Sequence, residues 1–144
     1  MDTTSIGRKA EQQAAKHLKK KYRYKLLENN WRTKACEIDL IMLRGKTIHF
    51  IEVKYRKNTL AGSGLDSISP KKLHQMYKSA LIWIQSNPEY QDFDINIAAL
   101  EMTDSGGRKP AINFIPSISY DIRDWVICSL DLVINATIRI ITIH

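Results

Sequence analysis

Cysteine is scarce in this chain. There are two, Cys36 and Cys128, far apart and with no C-x-x-C spacing. That excludes a zinc ribbon and a disulfide framework and points to a reducing compartment. Glycine and proline are sparse too, 6 and 4 in 144 residues, which excludes collagen-like and low-complexity chains. The four histidines, at 17, 49, 74 and 144, show no zinc-ligand spacing. No apolar run follows the basic residues near the N-terminus, so it does not read as a secretory signal. The expectation is a soluble cytoplasmic domain.

What the chain does have is an ordinary globular share of apolar residues, 44%, and a net charge of +7. A chain of this length buries roughly 70% of the surface its unfolded state exposes, enough for one core without staples. The charge is distributed unevenly. Residues 1–72 hold 17 basic and 7 acidic side chains, whereas 73–144 hold 5 and 8. Ten of the basic residues fall between Arg8 and Lys34, opposed there by Glu11 and Glu28. A one-sided basic field favours a polyanion, of which nucleic acid is the commonest, although a solvated lysine-rich helix has the same composition.

Helical spacing of Ala10, Ala14 and Leu18 predicts a helix over 6–22. Glu11 shares that stripe, and a lone inward carboxylate is costly unless it is paired, so Glu11 calls for a cation from elsewhere in the fold. Residues 36–43 and 47–55 are rich in β-branched and apolar types and predict two inner strands joined by a turn at Gly45-Lys46. Ser69-Pro70 supplies an N-cap and first-turn proline for a second helix to about Ser86, with Leu73, Met76, Tyr77, Ala80, Leu81 and Ile84 as its buried stripe. Residues 93–102 and 111–115 predict two further strands, and 58–69 a loop. The domain then covers 1–120, followed by an apolar extension over 121–144.

Within that extension, 125–143 is long enough to span a bilayer but contains Asp131 and Arg139. Each charge costs roughly 2.5–3.5 kcal/mol near a helix centre against about 0.3–0.6 gained per Leu, Ile or Val, so the terms nearly cancel. A packing or dimerisation element is expected there, and no membrane.

The chemistry-bearing residues lie on the hairpin. Side chains two apart in a strand share a face, which groups Glu37 with Asp39 and Glu52 with Lys54. A two-residue turn at Gly45-Lys46 pairs residues whose numbers sum to 91, placing Asp39 opposite Glu52 and Glu37 opposite Lys54. Two carboxylates about 5 Å apart repel by roughly 3 kcal/mol at an effective dielectric of 20, and a divalent cation would offset that. All-oxygen ligands favour Mg²⁺ or Mn²⁺ over zinc. Beside a polyanion-binding surface, such a site suggests phosphodiester hydrolysis, with Lys54 orienting the attacking water. An ordinary cross-strand ion network on a solvated face is the competing explanation of the same residues.

Gly7-x-x-x-Glu11-x-x-Ala14, Asn30-Trp31-Arg32, Glu37-Ile38-Asp39-Leu40-Ile41 and Phe50-Ile51-Glu52-Val53-Lys54-x-Arg56 follow one another in this chain. Their order resembles that of the YraN family, bacterial proteins similar to Holliday junction resolvases in the restriction-endonuclease-like superfamily. Gly64, Ser69-Pro70-Lys71-Lys72 and Phe93-Asp94-Ile95 resemble the family's later blocks. The resemblance covers about 6–116 and implies an α/β fold, a restriction-endonuclease-like mixed β-sheet flanked by helices. It implies metal ligation by Glu11, Asp39, Glu52 and the Val53 carbonyl, with Lys54 as catalytic lysine, and a homodimer as the acting form. Cys36 stands where the family pattern has glycine, and the chain after about Tyr120 has no counterpart in it.

Around this site, Arg8, Lys9, Arg32, Lys34, Arg56 and Lys72 are the expected phosphate contacts, which position a strand without reading its sequence. Glu37 and Gln75 are candidates for orienting water or substrate. The reading that results is a Mg²⁺-dependent nuclease acting on structured or branched DNA. Its alternatives are a catalytically inactive nucleic-acid-binding module of the same fold and a structural subunit that meets a protein partner.

Overall fold

The computed structural model describes residues 3–57, 68–104, 106 and 109–118. The loop over 58–67 and the extension over 121–144 lie outside the described residues, so the expectations placed on them find no test here. Among the described residues, no helix is long and apolar enough to cross a membrane.

The chain runs α1 (Thr3–Tyr22), β1 (Lys25–Arg32), β2 (Glu37–Arg44), β3 (Thr47–Arg56), α2 (Pro70–Ser86), a 3₁₀ turn (Pro88–Tyr90), β4 (Asp94–Thr103) and β5 (Ala111–Ile115). The strands form one sheet in the order β1-β2-β3-β4-β5. β3 and β4 run parallel and the other neighbours antiparallel, so the sheet is mixed. A parallel pair needs a crossover connection, and α2 lies within it. This is the α/β architecture expected of a restriction-endonuclease-like core.

Each face of the sheet carries one helix. Ala10, Ala14 and Leu18 of α1 pack on Leu40, Met42, Ile51 and Leu100. Leu73, Met76, Ala80 and Trp83 of α2 pack on Ile41, Ile48, Phe50 and Ile97. Strands buried on both sides read as nearly continuous apolar runs, which is why β2 and β3 show little alternation.

α1 closes with a backbone hydrogen bond from Tyr24 N–H to the Leu18 carbonyl at 3.3 Å, while Arg23 adopts φ 59°, the left-handed position that usually favours glycine. Ser69 caps α2 as expected, its hydroxyl accepting from Lys72 N–H at 3.1 Å.

Two features depart from the sequence expectations. β1 was not anticipated: its Glu28-Asn29-Asn30 centre lacks alternation, and a bulge between Leu26 and Glu28 shifts the side-chain parity. On α2, Leu81 is 40% exposed, whereas Ser79 and Trp83 are buried. Apolar residues occur around most of that helix, so periodicity alone left its inward arc undetermined; contact with Phe50 and Ile97 fixes it.

Candidate active site

The β2–β3 pairing runs from Arg44↔Thr47 to Leu40↔Ile51, a constant sum of 91, as the turn length dictates. In that register the next hydrogen-bonded pair is Ile38 with Val53. Instead, Val53 N–H donates to Asp39 Oδ2 at 2.7 Å. The two strands separate at this point and a carboxylate takes the place of a backbone carbonyl. Alternation in β2 breaks at the same residue, since Leu40 and Met42 belong to the α1 face but Ile38 to the α2 face.

Asp39 is pinned but electrostatically unfavourable. Burial, then the Glu52 carboxylate, push its pKa up to about 7. The Val53 N–H works against the rise, Glu11 adds to it, and Lys72 opposes it. Glu52, 5% exposed, holds two ammonium groups. Lys54 Nζ lies 2.6 Å from its Oε1, and Lys72 Nζ lies 3.0 Å from its Oε2. Both Glu52 oxygens are thus engaged by ammonium groups. Burial works against the Lys72 ammonium, but Glu52 outweighs it and holds that pKa above its ordinary value. Lys72 Nζ also donates to the Glu37 carbonyl at 3.4 Å.

The other expected residues distribute as follows. Glu11 Oε2 accepts from the Asn30 side-chain amide at 2.6 Å, so an amide, not a cation, provides the partner its position required. Glu37 pairs across the strands with Arg32 at 3.0 Å rather than with Lys54, in an exposed contact worth about 0–1 kcal/mol. Arg56 meets Glu101 at 3.4 Å. Arg8, Lys9 and Lys34 are exposed, and Gln75 is half-buried with no hydrogen bond among the described residues to the carboxylates. Cys36 Sγ lies 3.1 Å from Ser79 Oγ on α2, on the same face of the sheet as Ile38.

Two residues with roles here escaped the sequence reading. Asn30 positions Glu11, and its φ of 51° is a conformation asparagine tolerates better than most side chains. Lys72 was placed among phosphate contacts, but its side chain turns inward to Glu52; its position in the first turn of a proline-started helix beside the strand ends was the available signal.

A divalent cation can be tested against this donor set. Among the described residues, no three His, Cys, Asp or Glu groups converge as a ready-made metal cage. What is present is Asp39, which accepts from Val53 N–H through one oxygen, near Glu52, whose two oxygens meet Lys54 and Lys72. Burial first, and the Glu52 charge second, make the ionised Asp39 carboxylate costly where it stands. So few protein oxygens fit an ion that keeps most of its waters, as Mg²⁺ does, and such an ion would compete with Lys54 and Lys72 for Glu52.

Residues 10–98 match the family model described as uncharacterised protein family UPF0102. The span includes Glu11, Asp39, Glu52, Lys54 and Lys72. A UPF0102 protein of Pseudomonas fluorescens is 34% identical over 109 residues, 76% of this chain and 88% of the relative. One from Vibrio campbellii is 36% identical over 102 residues, 70% and 83% of the two chains, and one from Fusobacterium nucleatum is 41% identical over 95 residues, 66% and 78%.

Proposed function

This chain belongs to the UPF0102 family, and from that premise and the site geometry we propose that it is a Mg²⁺- or Mn²⁺-dependent nuclease hydrolysing DNA phosphodiesters, with structured or branched DNA as its substrate. The observation that carries the reading is the opened end of the β2–β3 hairpin, where Asp39, held by Val53 N–H, meets Glu52 and its two lysines.

Asp39, Glu52 and the Val53 carbonyl would hold the ion, and Glu11 stands one amide away on Asn30. When bound, the ion supplies a lowered water pKa and polarisation of the phosphate. Lys54, 39% exposed at its side chain, reaches from the pocket toward solvent and is placed to orient a water and stabilise negative charge developing on phosphate oxygens. Lys72 orients Glu52 through Oε2, the oxygen that Lys54 does not hold. Glu37 is occupied by Arg32 on the outer edge, which makes a proton-transfer role there unnecessary. Cytoplasmic location and a homodimer belong to the same proposal.

The test is cleavage of branched, single-stranded and duplex DNA with Mg²⁺ or Mn²⁺, comparing the native chain with Glu52→Ala and Lys54→Ala. Each variant is expected to lose at least about 10²-fold in rate. Unchanged cleavage in both sinks the assignment. Salt-sensitive DNA binding with no cleavage by the native chain would favour the inactive binding module.

A further inference from the structure

A groove of about 250 Å³ runs between α1 and β1. Arg8, Lys16 and Lys19 stand along its helical wall, all exposed, and spread over about 16 Å of helix. Asn29 and Asn30 form the strand wall, and Leu26 lies between as apolar floor. Among the residues lining it, Glu11 is the one carboxylate. The link to the site is through β2: Leu40, next to Asp39, lines the groove, and the Glu11 carboxylate is fixed by Asn30, which in turn accepts from Asn29 Nδ2 at 3.3 Å. The groove is therefore cationic along its length and acidic where it approaches the candidate active site.

We propose that this groove binds a single phosphodiester strand and leads it to Asp39 and Glu52, a step that deepens the nuclease reading and rests on it for the destination of the strand. The lysines and arginine face the phosphates. The two asparagine amides, each both donor and acceptor, face sugar hydroxyls or unpaired base edges, and Leu26 offers an apolar seat for a sugar or base. A duplex keeps its base edges in its own grooves and presents chiefly phosphates, leaving the amides and the apolar floor without partners.

A second groove, about 690 Å³, lies on the other side of α1, between Lys16, Lys20 and Lys21 and the Lys109–Ile112 segment. Four lysines and no carboxylate line it, Lys16 being shared with the first groove, but no residue of its lining adjoins Asp39. This makes it an internal control.

The measurement is fluorescence anisotropy of labelled oligothymidylate, oligouridylate and a duplex across a salt series, in EDTA so that nothing is cleaved. Two triple variants remove the same charge: Arg8→Ala/Lys16→Ala/Lys19→Ala in the α1–β1 groove, and Lys20→Ala/Lys21→Ala/Lys109→Ala in the second. The first is expected to weaken both single strands by about tenfold or more and to reduce the log–log salt slope by about 2, the loss of three phosphate contacts. The second is expected to change affinity less than about threefold, the effect of net charge alone. Equal losses in the two triples, or tighter duplex than single-strand binding by the native chain, overturn the proposal. Native cleavage with single-strand binding untouched by the first triple would remove the groove and leave the nuclease. Loss of binding in that triple without any native cleavage would retain the groove and remove the nuclease.

Discussion

At the turn end of the β2–β3 hairpin the backbone ladder is regular, and Ile41, Met42, Ile48 and Phe50 are fully buried. At its open end the same two strands part around the Asp39 carboxylate, and the buried group is Glu52 with two ammonium ions. One register produces both ends. Burial of each large side chain at the turn end contributes about 1.5–3 kcal/mol, so that half holds the fold together. At the open end the desolvation of charge works against folding, and ion pairing only offsets it. A polar cluster kept at a stability cost, at the point where a strand is deliberately opened, is the expected mark of a functional site.

The largest effects should separate the two ends by sign. Phe50→Ala removes a ring that packs edge-on against Trp83 at 5.8 Å and should cost about 3–5 kcal/mol in urea denaturation. Asp39→Asn keeps an acceptor for Val53 N–H while deleting the charge. With a pKa near 7 in place of the usual 3.8, the native carboxylate is disfavoured at neutral pH. The substitution should therefore raise stability on the order of 2 kcal/mol at pH 7.5 while abolishing cleavage. A loss of stability would show that Asp39 is a structural cap first, and the contrast between the ends would fail.

A smaller effect sharpens the contrast through pH. Asp39, with its folded pKa raised, contributes stability that is complete below the unfolded value and lost as pH rises toward 7. His49 behaves oppositely. Burial first, and the Arg44 charge against it, hold its pKa below 6.5, while a Thr47 backbone hydrogen bond acts the other way. Its ring sits 4.9 Å from that of Tyr24, edge-on. The contribution from His49 is present above 6.5 and lost as pH falls. In metal-free buffer, urea midpoints between pH 5 and 7.5 should fall more steeply on acidification in Asp39→Asn than in the native chain. They should fall less steeply in His49→Phe. Parallel profiles for all three proteins would deny the opposing roles.

Short-range rules made much of this legible. Gly45-Lys46 sets the turn, and the turn sets the sum of 91 as far as Leu40↔Ile51, one residue short of Asp39 and Glu52. Ser69-Pro70 starts α2 where it was expected. What resisted depends on partners distant in sequence. The Glu11–Asn30 bond joins residues 19 apart, and the Lys72–Glu52 pair depends on where α2 crosses the sheet. β1 lacked a readable period because it is an edge strand with a bulge, its Glu28 side chain accepting from the Trp83 indole at 2.8 Å. Parity gave no sign that alternation in β2 would break at Asp39 or that the ladder would stop there.

The smallest effect tests whether unfavourable geometry also occurs away from the site. Arg23 occupies the left-handed position that closes α1, with no carboxylate or phosphate chemistry nearby to require it. Arg23→Gly removes the steric cost of a side chain at φ 59° but adds unfolded-state entropy, and the two partly cancel. A net gain of about 0.5 kcal/mol is expected, with cleavage unchanged. Asp39→Asn, by contrast, should exchange activity for its gain. A variant pair that gains stability in both places but loses activity in one distinguishes strain that serves the open hairpin from strain that merely ends a helix. If Arg23→Gly also suppressed cleavage, the α1 terminus would have to be counted with the site, and the division of the molecule into a stabilising and a functional end would no longer follow the hairpin.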